Sequence, residues 1–412
     1  MTNNSEYLIG LDIGCSSIKA VVGELGRDGR VTLVKAIKSP MRGMRRGMID
    51  DAKEAAGAVN IFLSSIRRDF PLSLKNIYLN TGTAQARGVM SRGIVAVSRA
   101  DDEVSHYDTV EVIRASQEIK LPSNRIVIHA VTREYIVDEV SGIKDPVGMI
   151  GKRLEANVML IDVFSPAIKS LEKVIKDNGG EIKGMVFGPL ACSRSVLNKN
   201  QKELGVALID IGFSTTSLAV FEDGSLLHTA VFPFGSSHIT NDLAVGLKIS
   251  PEAAEAIKFS FGAALAKEMP PREMIDLKKI DSRAKGSVTR RFVAEIIEAR
   301  LVEMFQVIGE DLRRINRFGK LPAGIVLVGG GSKLPNICDL VKQELHLAAD
   351  LGSADLSLTN LRDNNLSIEA DDPEWTAALG LVFLGHDSRS DDTAYKKEVP
   401  AFFKKLWGYF KP

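Results

Sequence analysis

The chain has 412 residues, too many for one simple hydrophobic core, so two or more globular units are expected. Its 45% hydrophobic and 25% charged content is that of folded soluble protein, and a formal net charge of +1 argues against a general nucleic-acid binder. Cys15, Cys192 and Cys338 are scattered and suggest no disulfide framework, and the histidines form no metal-ligand spacing with them. "MTNNSEYLIG" has neither the basic nor the apolar region of a signal peptide, and no stretch reaches the roughly 18 to 20 apolar residues that span a bilayer. The body of the protein is expected to be cytosolic.

In chain order, "YLIGLDIG" and "IKAVVGEL" read as strands around a tight turn, and "VTLVKAIK" as a third. "DAKEAAGAVNIFLSSIRRDF" is helical, with Ala55, Val59, Phe62, Leu63 and Ile66 on one face. "IYLNTG" is a buried strand. From Ala84 to Asp162 the chain is strand-rich around one helix, "ADDEVSHYDTVEVIRASQEI", and reads as an inserted subdomain. "SPAIKSLEKVIKDNGG" is a helix stopped by a glycine pair. "GVALIDIGFSTTSLAVFEDG" then repeats the pattern of "YLIGLDIGCSSIKAVVGELG": Asp12, Gly14 and Ser16 recur as Asp210, Gly212 and Ser214 at one constant offset. Similarity over that distance implies a duplicated domain. Residues from Pro251 to Phe305 read as mostly helical, "AGIVLVGGGSKLPNICDLVKQEL" as strand, glycine turn and helix, and "PEWTAALGLVFLG" as a last apolar helix. His386 to Glu398 is polar without apolar periodicity and reads as a flexible linker.

An Asp-x-Gly-x-Ser turn between two strands brings the backbone close to a ligand, and its N–H groups and hydroxyl form an anion-binding concavity. The carboxylate repels phosphate but holds waters around Mg²⁺. Two such loops would grip a polyphosphate from both sides, with Lys19 in reach; either loop alone is also an ordinary glycine hairpin. The third turn, "IVLVGGGSKLP", lacks the dinucleotide G-x-G-x-x-G spacing, and no P-loop motif is present. Gly329, Gly330 and Gly331 suit a backbone lying against a flat nucleoside.

"GLDIGCSSIKA", "LIDIGFSTTS" and "VLVGGGSKLP", in this order, resemble the phosphate-1, phosphate-2 and adenosine motifs of the superfamily of actin, sugar kinases and heat-shock chaperone ATPases. Within it, "PMRGMRRGMIDD", "EYIVDEVSGIKDPVGMIGKRLEANV", "EAAEAIKFSFGAAL" and "AEIIEARLVEMF" resemble the FtsA family of bacterial cell-division actin homologues. The resemblance implies an α/β fold of the actin-like, two-lobed ATPase type, with duplicated lobes, an FtsA-type insert and a C-terminal amphipathic helix. It implies subdomain 1A at 1–83 and 163–200, the insert 1C at 84–162, 2A at 201–230 and 305–385, and 2B at 231–304. A linker at 386–398 and a membrane-targeting helix at 399–412 would follow.

ATP and Mg²⁺ would lie between the lobes. Asp12 and Asp210 would organise the hydrated metal, and Gly14, Ser16, Lys19, Gly212, Ser214 and Thr215 would cradle the phosphates. Gly329, Gly330, Gly331 and Ser332 would pack on the nucleoside, with Glu255 and Lys258 facing ribose and adenine; that pair also reads as a solvated helix face. Phe213 and Ser214 stand where the superfamily's second loop usually has glycines, and Ser217 where an acid is common. No residue is assignable as the base that positions an attacking water, so ATP binding with slow or absent hydrolysis is expected. Arg290 and Arg300, in "TRRFVAEIIEAR", read bottom-up as a charged, solvated face. By resemblance they lie near the groove that takes the carboxy-terminal peptide of the tubulin homologue FtsZ.

In "VPAFFKKLWGYFKP", Val399, Phe402, Phe403, Leu406, Trp407 and Phe410 span an arc of about 140° at about 100° per residue, with Lys404 and Lys405 outside it. A core helix is also amphipathic, but it would seldom follow so polar a stretch; the pattern fits a helix lying in an anionic membrane surface. The expectation is an FtsA-like scaffold on the cytoplasmic face of the cell membrane at the division site. It would bind FtsZ, itself, anionic lipids and other divisome proteins, and no nucleic acid. A pilus-assembly or rod-shape actin homologue, or a small-molecule kinase, is the alternative.

Overall fold

The computed structural model describes residues 6–26, 30–70, 73–357, 359–362 and 366–390. The first aspartate motif turns a hairpin: β1 (Tyr7–Ile13) runs antiparallel to β2 (Ser17–Leu25), which pairs with β3 (Val31–Pro40). β1 is almost wholly buried, which is why it reads as a continuous apolar run rather than an alternation. A short hairpin of β4 (Met44–Arg45) and β5 (Met48–Ile49) precedes α1 (Ala52–Asp69). The Asp51 carboxylate accepts from the Lys53 and Glu54 amides and caps α1, which buries the five apolar residues its spacing predicts. β6 (Ile77–Asn80) then lies parallel to β1.

The inserted stretch forms its own antiparallel sheet from β7 (Arg87–Ala96), β8 (Arg125–Val137), β9 (Val140–Ile143) and β10 (Arg153–Phe164), in the order β7-β10-β8-β9. Its single helix, α2 (His106–Ser116), starts at a Ser105–Asp108 capping box. Val112 and Ile113 of α2 pack on Tyr135, Leu154 and Val158, giving the insert a separate core. The chain returns through α3 (Ser165–Asp177) to β11 (Ile182–Val186), parallel to β6, and leaves through α4 (Gly188–Val196) and α5 (Lys199–Leu204).

The second lobe repeats the plan. β12 (Val206–Ile211), β13 (Thr216–Glu222) and β14 (Ser225–Phe232) form the antiparallel meander. α6 (Ser236–Leu247), α7 (Pro251–Phe261), a small hairpin of β15 (Met274–Asp276) and β16 (Ser287–Thr289), and α8 (Arg290–Arg314) follow. β17 (Ile325–Val328), α9 (Ile337–Leu345) and β18 (Ala349–Leu351) complete it. The sheets run β3-β2-β1-β6-β11 and β14-β13-β12-β17-β18, each three antiparallel strands followed by two parallel ones. The repeated motif is therefore the visible part of a repeated topology.

The stretch from Pro251 to Phe305 is mostly helical, with the short β15–β16 hairpin between its helices. Three expected boundaries differ. The division at 304/305 cuts α8, one continuous helix whose start packs in the helical subdomain and whose Ile308 and Leu312 share a core with Leu340 and Leu345 of α9. Residues beyond 352 leave the second lobe. β19 (Thr359–Leu361) extends the first sheet beside β3, α10 (Leu366–Asp371) follows, and α11 (Thr376–Ser390) lies on β1 and α4. α11 fits there because a Cβ at Gly10 would meet the Ala378 carbonyl at 2.1 Å, and one at Gly380 the Ala191 carbonyl at 1.8 Å. Finally, α11 continues five residues past Gly385, into the stretch read as linker. There Arg194 makes a two-pronged bond to Asp387 (2.6 and 3.2 Å), and the Tyr78 and Ser388 hydroxyls meet at 2.9 Å. The rest of that linker and the terminal segment from Val399 lie outside the described residues.

Candidate phosphate-binding cleft

The two hairpin turns meet across a cavity of about 430 Å³. Each turn closes with the same bond, Gly14 N–H to the Ser17 carbonyl (3.0 Å) and Gly212 N–H to the Thr215 carbonyl (2.9 Å). The loops also touch: the Ser214 hydroxyl donates to the Cys15 sulfur at 2.9 Å. The third turn closes the cavity between them. Gly329 has φ +84°, and a Cβ there would stand 2.3 Å from Asp210 Oδ1, so only glycine fits. Gly330 and Gly331 line the wall, whereas Ser332 is fully buried, its hydroxyl donating to the Gly329 carbonyl at 2.7 Å. Ser332 therefore holds the turn and offers nothing to the cleft. The other thirteen residues expected to contact nucleotide all line this one cavity.

Asp12 and Asp210 end equivalent strands and contribute carboxylates from opposite sides. Burial pushes Asp210 up to about 6; the Asp12 charge adds to this and Lys19 opposes it. Lys19 Nζ sits 3.2 Å from Asp12 and donates to the Glu374 carbonyl at 2.8 Å. Burial alone would lower the Lys19 pKa, but the Asp12 and Glu374 charges outweigh it and leave it raised. The Asn80 amide nitrogen donates to Asp12 at 2.7 Å, which leaves Asn80 Oδ1 buried without a partner among the described residues. One lysine thus faces two carboxylates and an orphaned acceptor. Such a set of oxygens, short of positive charge, fits a hydrated hard cation held by Asp12 and Asp210 through its waters.

Glu255 and Lys258 lie one turn apart on α7. Lys258 is only 4% exposed and bonds Glu255 (2.6 Å), the Thr240 hydroxyl (2.9 Å) and the Ser236 carbonyl (3.4 Å). Burial lowers its pKa while Glu255 holds it up. This is a built wall of the cleft, not a solvated face. Phe213 lines the cavity with an exposed side chain, and the Phe213 carbonyl accepts from the Ser237 amide at 2.8 Å, fixing the loop to the start of α6. The side chain standing where the superfamily has glycine thus lies at the cavity wall.

Several lining residues were not singled out from the sequence: Cys15, Lys38, Asn80, Lys333 and Glu374. Glu374 binds Lys38 of β3 at 2.6 Å and approaches Lys333 at 3.8 Å, bridging the two lobes' loops. Only Asn80 carried a signal, a polar side chain ending an apolar strand before "TG". Arg290 and Arg300 lie away from the cleft, about 15 Å apart along α8 at about 1.5 Å per residue. Arg290 bonds the Phe261 carbonyl (3.1 Å) and Glu273 (3.2 Å). Arg300 grips Asp242 (2.5 and 3.0 Å) and Glu303 (2.6 Å), and the Asp242 bond outweighs burial in raising its pKa. Both are bridged faces rather than free solvated ones.

Two lobes of one topology, each presenting a glycine hairpin and an aspartate to a shared cleft, define the actin-like ATPase fold. Solved structures agree. The PilM-PilN type IV pilus biogenesis complex superposes with a TM-score of 0.66 at 17% identity, over 92% of this chain and 98% of that one. MreB 5 of Spiroplasma citri bound to AMPPNP gives 0.57 at 14% identity, over 94% and 98%. The family model "Cell division protein FtsA" matches residues 207–380, and "SHS2 domain inserted in FTSA" matches 83–162. The cell division protein FtsA of Pseudomonas aeruginosa is 32% identical over 94% of this chain and 91% of its own length. The chain belongs to the FtsA family of cell division proteins.

Proposed function

We propose that the chain binds ATP with Mg²⁺ in this cleft, polymerises on the inner face of the cytoplasmic membrane and tethers FtsZ filaments there during cell division. The observation that supports it best is the pair of matched hairpins, Ile13–Ser17 and Ile211–Thr216, meeting across one cavity with an aspartate from each lobe. Gly14, Ser16, Lys19, Gly212, Ser214 and Thr215 would receive the phosphates and Gly329 to Gly331 the nucleoside, beside Glu255 and Lys258. Mg²⁺, held through water by Asp12 and Asp210, would neutralise phosphate charge. Lys19 stays protonated and adds a fixed cation from the first lobe.

Turnover would be slow, because the carboxylates that line the cleft are engaged or metal-directed. Asp12 is held by Lys19 and Asn80, Glu255 by Lys258, and Glu374 by Lys38. A small-molecule kinase would need a further free carboxylate, and none lines the cavity among the described residues. Arg290 and Arg300 would form part of the FtsZ-peptide groove by exchanging internal acids for those of the peptide. The basic, aromatic terminal segment would supply the membrane contact. Titration with Mg·ATP checks the central statement: wild type binds one nucleotide, and Asp210→Asn loses the Mg²⁺-dependent part of the affinity. Equal binding by both chains would overturn it.

A further inference from the structure

Where the insert meets both lobes there is a second, smaller cavity of about 70 Å³, walled by residues of β8, α4, α5, α11 and the β13–β14 turn. We propose that this cavity is a binding site for a compact oxyanion, a carboxylate or a phosphate, held by Lys202 and Arg194. Lys202 leans over the Phe221 ring, its Nζ 5.2 Å from the centroid, and no carboxylate reaches it among the described residues. Arg194 shares the cavity wall. It spends Nε and Nη2 on Asp387 and stacks 5.6 Å above the Phe383 ring, and Nη1 has no hydrogen-bond acceptor among the described residues.

Two cations thus line one small space that no carboxylate lines, and the acid nearest Arg194, Asp387, is shared between Arg194 and His386. Burial and the Arg194 charge both work against the Lys202 ammonium and lower its pKa to about 8. An anion in the cavity would reverse both effects, which makes it the missing counter-charge. The space suits a few waters, at about 30 Å³ of liquid volume each, or one carboxylate or phosphate group. Thr132 of the insert and Ser225 of the second lobe add hydroxyls to the wall. An ion seated there would touch the insert and both lobes at once, and it would compete with Asp387 for Arg194 near the end of α11. The site is separate from the large cleft and does not depend on what that cleft binds.

Calorimetric titration at fixed ionic strength, with inorganic phosphate in one arm and sodium acetate in the other, tests the proposal. Lys202→Met keeps the apolar stem over Phe221 and removes only the charge, so the variant retains its packing. Wild type is expected to bind one of the two ions at least about tenfold more tightly than Lys202→Met, as a charge-assisted bond requires. Lys202→Arg restores binding. Phosphate caught in the large cleft is common to both chains, so their difference isolates this cavity. Preference for phosphate assigns a free or esterified phosphate as the natural occupant; preference for acetate assigns an acidic side chain or chain end. Equal affinities in wild type and Lys202→Met, or no binding of either ion, overturn the proposal.

Discussion

Asp210 carries an unfavourable charge in the ligand-free protein, and this gives a testable link between stability and pH. Its folded pKa of about 6 lies above the reference value of 3.8. A raised acid holds its proton longer in the folded state, so its destabilising effect is absent below about pH 4. The effect grows as pH rises through the interval and is complete above about pH 6. At 1.36 kcal/mol per unit, discounted for the solvent that reaches the cleft, the penalty is about 1–3 kcal/mol. Asp210→Asn should therefore stabilise the ligand-free chain by that amount at pH 7.5 in urea unfolding, with the gain vanishing by pH 4. A variant no more stable than wild type at pH 7.5 would show that the charge is already relieved. The two aspartates and the glycines around them were legible in the sequence, because a tight anion-binding hairpin admits few residue types. Lys38 and Glu374 were not, since they reach the cleft from β3 and the turn before α11 and carry no local pattern, and Asn80 of β6 carried only the weak signal of a polar residue ending an apolar strand.

At the scale of single elements, helix faces were read well where one side is wet and poorly where none is. α1 shows one apolar stripe and buries the residues that stripe names. α11 is apolar all round: Ala377, Leu381 and Leu384 pack in one core and Ala378, Leu379, Val382 and Phe383 in another. Nothing in such a pattern says which lobe it joins, and chain order suggested the wrong one. The contact is made by glycines, so two substitutions of the same kind should differ in sign. Gly380→Ala would place its Cβ 1.8 Å from the Ala191 carbonyl and should destabilise by more than about 2 kcal/mol through overpacking. Gly57→Ala, mid-helix on the exposed side of α1 with nothing within 4 Å, should stabilise by about 0.5–1 kcal/mol. Thermal unfolding of the two variants checks this pair; a Gly380→Ala chain as stable as wild type would show that α11 sits looser on α4.

For the molecule as a whole, duplication places one phosphate loop on each lobe, so whatever fills the cleft ties the lobes together. The Ser214–Cys15 and Glu374–Lys333 contacts already span that gap. No described helix is long and apolar enough to cross a membrane. The pattern from Val399 to Phe410 supplies a candidate membrane contact on sequence grounds alone. One amphipathic segment binds reversibly, with about 1 kcal/mol from each lysine near anionic headgroups. Neighbouring copies in a filament would present their segments at high effective concentration, making binding far tighter than one segment allows. Vesicle sedimentation should separate the two contributions. With Mg·ATP, wild type should bind anionic vesicles steeply with protein concentration, and Trp407→Glu should not bind at any concentration tested. Asp210→Asn, its terminal segment intact, should bind weakly and without the steep rise. Full retention of Trp407→Glu would exclude the terminal segment as the membrane contact, and a steep rise in Asp210→Asn would uncouple assembly from the cleft.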